Sequence, residues 1–333
     1  MKFKRWFYLF LFLLFMINLF FMLIYGKKTF EAQDPVKPPH RYDYHFALIS
    51  EEIDNEYWRI IEKGARDAAE KYNVYLEYLG PKQADNIEQL KFMDKTITGK
   101  VDGIIIQGIA HSYFYQLTNK AFERGIEIVT VDTDVADSER KAFVGSDNYM
   151  AGVQAGSAMI DDTKGDQYVG IVTGRLDALN QQLRIKGFKD AIKKENRIKL
   201  VDIEVSNITK SGALQATYDL LKKHPHINAF YGTSALDGSG IAQVVNQFKL
   251  KQRTYIIGFD ILPQTLHLLE EGSIDASVVQ YPYEMGYQSV EALLQLKTGD
   301  ESKTLHHTLT RVIHRNDIQD FYEKGTVYEN HTK

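Results

Sequence analysis

The sequence predicts an α/β protein of two similar lobes, each a mostly parallel sheet flanked by helices, and three observations predict it. Short β-rich runs alternate with amphipathic helical segments over most of the chain, the pattern of βαβ units. Several of these runs, such as GIII from Gly103 and EIVTVD from Glu127, are continuously apolar, as strands covered on both faces are. The alternation also occurs in two successive series, and 333 residues suffice for two separate cores.

Taken in order, the chain opens with Lys2, Lys4 and Arg5, followed by the apolar run from Trp6 to Tyr25, whose one polar interruption is Asn18. A helix of about twenty apolar residues spans a bilayer. The run is longer than a signal-peptide core, and no small-residue cleavage site follows it, only Gly26, Lys27 and Lys28. An uncleaved signal anchor is therefore expected, with a cleaved signal as the alternative. Residues 1–5 are expected inside the cell and the bulk outside, as a single-pass protein of the cell membrane. The polar stretch up to residue 42, with Pro35, Pro38 and Pro39, reads as a semi-extended linker over 26–42.

Strands are expected at Tyr44–Ser50, Val74–Leu79, Val101–Gln107, Ile126–Asp132 and Ala142–Ser146. The second series comprises Tyr168–Thr173, Leu200–Val205, Ala229–Thr233, Tyr255–Phe259 and Ala276–Gln280. The clearest helix is Glu56–Tyr72, where Trp58, Ile61, Ala65, Ala68, Ala69 and Tyr72 share a face, with Asp54 or Asn55 as its cap. The expected lobes are 43–146 plus 260–280, and 147–259 plus 281–330.

Composition narrows function by exclusion. A net charge of −4 and a pI near 6.2 argue against a nucleic-acid surface. The chain has no cysteine, which removes disulfides, thiolate sites and a lipidated N-terminal cysteine. The pairs His224 with His226 and His306 with His307 lack helical ligand spacing and read as solvated. No G-x-S-x-G, H-E-x-x-H or phosphate-cradling glycine loop occurs, so neither an enzyme nor a cofactor site is expected.

Polar residues end many of the expected strands. Asn55, Tyr57 and Trp58 follow the first, Gln107 ends the third, and Asp132 with Thr133 ends the fourth. Thr233 with Ser234, Asp260 and Gln280 end later ones. Ligands of open α/β sheets bind at the carboxyl ends of strands. Helix caps account for part of the set, because Asp, Asn, Ser and Thr commonly follow strands. Capping does not call for Gln107, Gln280, Tyr57 or Trp58. Carboxylates and amides suit a polyhydroxylated ligand, whose hydroxyls both donate and accept. An aromatic face suits the C–H face of a sugar ring, although Trp58 also lies on the core face of its helix.

These residues fall within strings that carry a family resemblance. They are DNEYW at Asp54, KGARDAAEKY at Lys63, VDGIII at Val101, GIEIVTVDTDV at Gly125 and FVGSDNYMAGVQAG at Phe143. R-x-x-GF at Arg184, IIGFD at Ile256 and ASVVQYPYEMG at Ala276 complete them. In order and spacing, from Tyr44 to Val312, the chain resembles the type I periplasmic binding proteins of the ribose/galactose/xylose-binding group. The resemblance implies two lobes joined by three crossovers, with a monosaccharide-like ligand held between them. It implies contacts from Asn55, Tyr57, Trp58, Gln107 and Asp132 in one lobe and Arg184 in the other, with Asp260 and Gln280 near the hinges. Asp132-Thr133 and Thr233-Ser234 replace the Asp-Arg and Asn-Asp pairs often found in ribose binders, so the ligand need not be ribose. The anchor resembles that of membrane-held sugar sensors that act beside a histidine kinase. The alternative partner is the permease of a sugar ABC transporter.

Overall fold

The computed structural model describes residues 2–31, 41–299 and 305–319. The chain divides into two units, 1–42 and 43–333. The first contains α1 (Lys2–Glu31). Its segment Lys4–Tyr25, 22 residues of mean hydropathy 2.6, is long and apolar enough to cross a membrane. Asn18 donates to the Leu14 carbonyl at 3.0 Å, so its amide finds a partner on its own helix. The helix extends beyond Tyr25 to Glu31, into the stretch expected to be linker. A lone glycine costs a helix only about 1 kcal/mol, and no proline intervenes before Pro35. The rest of the expected linker, apart from Arg41 and Tyr42, lies outside the described residues.

The second unit alternates strands and helices. It begins β1 (Tyr44–Ile49), α2 (Glu56–Lys71), β2 (Val74–Leu79), α3 (Asn86–Thr98), β3 (Gly103–Gln107), α4 (Ser112–Glu123), β4 (Glu127–Val131) and β5 (Ala142–Ser146). It continues α5 (Asn148–Asp162), β6 (Gln167–Thr173), α6 (Leu179–Ile192), β7 (Ile198–Val205), α7 (Lys210–Lys223), β8 (Ala229–Gly232), α8 (Asp237–Gln247) and β9 (Tyr255–Phe259). The last elements are α9 (Pro263–Glu270), β10 (Ala276–Val279), α10 (Pro282–Thr298), β11 (Leu305–Thr308) and β12 (Arg311–His314).

Two six-stranded sheets result, in the orders β11-β5-β4-β3-β1-β2 and β12-β10-β9-β8-β6-β7. All pairings are parallel except that of β12 with β10. Alternate residues of β1 enter different cores: Phe46 and Leu48 pack with α2 and α10, whereas Ala47 and Ile49 pack with α3 and α4. This double coverage explains the uninterrupted apolar strands.

The expected lobe boundaries are wrong after Phe259. Residues Ala276–Val279 pair with β9 in the second sheet, and Leu266 and Leu269 of α9 join that lobe's core. In contrast, Met285, Val290 and Leu293 of α10 pack with Ile61 and Ala65 in the first lobe. The chain therefore crosses after β10 rather than after β9. Strands β9 and β10 are hydrogen-bonded neighbours, and a crossing between them would split the sheet. β11 then pairs with β5, and β12 with β10, so three crossings link the lobes. The last two strands escaped sequence reading because LHHT and RVIH, at opposite sheet edges, carry little apolar alternation.

The lobes repeat each other in detail. KGARD (63–67) of α2 faces YEMG (283–286) of α10, and KGFKD (186–190) of α6 faces YMAG (149–152) of α5. Tyr283 donates to Asp67 at 2.8 Å, and Tyr149 to Asp190 at 3.1 Å. A Cβ at Gly64 would overlap the Tyr283 carbonyl, and one at Gly187 the Tyr149 carbonyl. Gly64→Ala is therefore expected to lower stability by about 1–3 kcal/mol, the usual cost of overpacking. Urea unfolding is the measurement, with Gly125→Ala as a comparison in open space at positive φ, where only backbone strain acts.

Candidate functional site

The carboxyl ends of the strands face one another across the gap between the two sheets, and their polar residues meet at a cavity of about 50 Å³. Asp132 lines it. It follows β4 in the left-handed region, at φ 64°, where few non-glycine residues are found. Four side chains donate to its carboxylate: the Tyr57 hydroxyl at 2.8 Å, Gln107 at 3.1 Å, Thr133 at 2.9 Å and Asn180 at 2.9 Å. Asn180 belongs to α6, so this last bond joins the two lobes.

Asp260 holds the matching position after β9, at φ 60°. Gln280 donates to one of its oxygens at 3.2 Å, while the other is buried without a partner. Burial pushes the Asp260 carboxyl up to about 7, against the opposing pull of Arg184. Glu51, one residue beyond Ser50 at the end of β1, is also raised to about 7 by burial, against the pull of Arg175. Burial likewise raises the Tyr57 phenol well above its ordinary value.

Arg184 is buried to 3% exposure. Its Nε donates to Asn148 Oδ1 and its Nη1 to the Thr233 carbonyl, both at 2.8 Å, and its guanidinium lies 3.7 Å from the centre of the Phe259 ring. These neutral partners fix the guanidinium without neutralising it, leaving it available to an acceptor in the cavity.

Eight of the ten candidate residues from the sequence line this cavity: Asn55, Tyr57, Trp58, Gln107, Asp132, Arg184, Asp260 and Gln280. Thr133 and Thr233 are not among its lining. Thr133 holds Asp132, and Thr233 bonds Gln181 and Thr173 through its hydroxyl. Asn55 caps α2, accepting from the Tyr57 amide at 3.0 Å, and donates to Glu52 at 3.2 Å, so much of its amide is engaged locally. Tyr57 and Trp58 both belong to the first lobe's core while also facing the cavity. Sequence reading missed Glu51, Asn180 and Gln181 as lining residues, along with the apolar wall of Ile208, Ala235 and Leu236. Asn180 had a usable signal, since it precedes Arg184 by four residues and shares its helical face. Ser234, whose buried Oγ has no partner, also lines the space.

The result is a small enclosure with three carboxyls, several amides, one buried guanidinium and two aromatic rings. It can satisfy donors and acceptors spread around a compact neutral molecule, and its acidic balance opposes an anion.

Residues 46–301 match the periplasmic binding protein domain family. Among solved structures, GanP, a glucose-galactose binding protein from Geobacillus stearothermophilus, is 49% identical with a TM-score of 0.80. The match covers 83% of this chain and 99% of that one. XylFII in the XylFII-LytSN complex is 36% identical with a TM-score of 0.79, covering 83% and 100%. Among curated proteins, the D-allose-binding periplasmic protein of Escherichia coli (strain K12) is 24% identical over 259 residues, covering 75% of this chain and 83% of that protein.

A carboxyl raised by burial contributes stability below its ordinary range, and that contribution is lost as pH rises through about 7. Asp260→Asn should accordingly match the ligand-free parent near pH 4 and exceed it by on the order of 3 kcal/mol near pH 8. Denaturant unfolding at the two pH values checks this.

Proposed function

The chain belongs to the type I periplasmic binding protein family, in the group that includes ribose-, allose- and xylose-binding proteins, and on that premise we propose that it binds a neutral monosaccharide or similar polyol between its lobes. The observation that carries this reading is the set of carboxyls, amides and Arg184 converging from both lobes on one small enclosure. Asp132 and Asp260 accept ligand hydroxyls, Arg184 and Gln280 donate to ring or hydroxyl oxygens, and Trp58 offers its face to the ring's C–H groups. The free oxygen of Asp260 and the Ser234 hydroxyl await partners that a polyol supplies. The residues named act by hydrogen bonding and packing, and the ligand leaves chemically unchanged.

The binding unit works outside the cytoplasm, held to the cell membrane by α1, and reports occupancy to a membrane histidine kinase. The apolar span Lys4–Tyr25 supports this, as does the likeness to XylFII, a protein solved in complex with LytSN. Ligand shifts the lobes towards the closed form, and tethering in one membrane raises the effective concentration of the two proteins. Delivery to an ABC permease is the second reading. It is favoured by curated relatives such as the ribose import binding protein of Escherichia coli (strain K12), 21% identical over 256 residues.

The two tryptophans are Trp6 and Trp58, so a fragment starting at His40 carries a single one, on the cavity wall. Titrating it with pentoses, hexoses and inositols should give a saturable change in emission, and sugar phosphates should give none. Arg184→Ala should weaken binding at least about 100-fold by calorimetry, since a charged hydrogen bond contributes roughly 1.5–3 kcal/mol and its buried partners lose theirs. Turnover of any sugar in the panel would overturn the reading. Crosslinking in membranes should capture a histidine kinase, and capture of a permease instead would favour transport.

A further inference from the structure

Among the described residues, an inner and an outer space lie between the lobes. The inner one is the 50 Å³ enclosure, with Glu51 on its wall. The outer one, of about 740 Å³, is bounded by rim residues that include Asn86, the first residue of α3, from the first lobe and Arg175 and Asp177 from the second. Glu51 and Arg175 touch where the two spaces adjoin. Arg175 Nη1 donates to Glu51 Oε1 at 3.2 Å and Nη2 to Asn86 Oδ1 at 2.8 Å. On its own lobe the same guanidinium bonds Asp177, at 3.0 Å through Nε and 2.8 Å through Nη2. Asn86 in turn donates to Asp177 at 3.4 Å, which closes the ring of contacts.

We propose that Arg175 and Glu51 form a latch across the cleft mouth, which closes over a single sugar ring and sets how long that ring is held. The proposal rests on the sugar-binding reading above. Its physics is that of a rigid fork with two fixed sides. Asp177 orients the guanidinium from within the second lobe, so little freedom is lost when it reaches the acceptors of the first. Closure buries both side chains, to 14% and 11% exposed, and it sets the Arg175 guanidinium, already paired with Asp177, against the Glu51 carboxyl. Without Arg175, the closed form leaves the Glu51 carboxyl facing Asp132, a like charge that also disfavours its ionised form. The open form hydrates each group separately, so the pair acts on the closed state and hence on ligand escape. Because the latch stands between the enclosure and the outer space, a ring bearing a second sugar towards the rim cannot be shut in.

The test uses the full chain in lipid nanodiscs, with Arg175→Ala, Arg175→Lys, Glu51→Gln and the double variant Arg175→Ala/Glu51→Gln. Stopped-flow release of D-glucose, D-galactose, D-xylose or L-arabinose is read from Trp58 emission, with Trp6→Phe in every variant and in the parent so that Trp58 is the single emitter. Arg175→Ala should speed release at least tenfold while changing association less than threefold, and Arg175→Lys should fall between it and the parent. The double variant should release no faster than Arg175→Ala alone, because one contact is being removed twice. Unchanged release, or two effects that multiply, would overturn the latch. A second readout is independent of ligand. The chain has no cysteine, so spin labels at Lys91→Cys and Lys222→Cys, one in each lobe, report the spacing cleanly. A short-distance population present in the parent and depleted by Arg175→Ala supports the latch, and identical distributions in ligand-free and sugar-saturated protein sink it. If no pentose, hexose or inositol of the titration panel binds the parent, the sugar-binding reading fails instead, and the latch is judged on the ligand-free distances alone.

Discussion

The cleft depends on one buried carboxylate held by four donors. Asp132 ends a central strand of the first sheet, and its left-handed backbone turns the side chain into the gap between the lobes. A non-glycine residue in that conformation costs roughly 1–2 kcal/mol, which the surrounding hydrogen bonds must over-determine. Tyr57, Gln107 and Thr133 hold the carboxylate from its own lobe, and Asn180 reaches it from the other. Arg184 is kept free of a carboxylate partner by neutral acceptors, and Asp260 keeps one oxygen unpaired. Such a site is preorganised, so a ligand meets groups already oriented.

Two rigid bodies make that precision compatible with movement. In each lobe a pair of helices meets so closely that a glycine faces a backbone carbonyl, and a Tyr–Asp hydrogen bond pins the same end of the pair. Contacts of this kind resist bending within a lobe. The freedom lies at the three crossings, whose residues Ser146, Gln280 and Thr308 converge: the Ser146 hydroxyl donates to Gln280 at 3.1 Å and is 3.3 Å from that of Thr308. Gln280 also bonds Asp260 and therefore belongs to both hinge and cavity. Occupancy and lobe angle share an atom group, which suits a clamp that closes by hinge motion.

The pattern of what was legible follows from range. Ten strands could be read from apolar runs because both faces of each sheet are covered. Strands β11 and β12, two of the four edge strands, lack that signature, and the lobe assignment after Phe259 failed because a crossing leaves no local mark. Gln107 and Gln280 stood out because no cap or turn needs them. Thr133 and Thr233 looked equivalent to them in sequence, yet their hydroxyls turn to neighbouring side chains. KG-x-x-D and Y-x-x-G lie in strings that carry the resemblance, but their repetition from lobe to lobe gains a meaning only when each has its partner helix beside it.

The sequence by itself determined the alternating α/β architecture, the apolar N-terminal span and most of the polar strand ends, since each is written in residues close together along the chain. Only the tertiary structure decided that Glu51, Asn180 and Gln181 share the enclosure. It also decided that Tyr57 serves Asp132 through its hydroxyl, and that Arg175 reaches Glu51 across 124 positions of sequence. Those pairings depend on how two separately folded sheets face each other, and no local periodicity encodes that geometry.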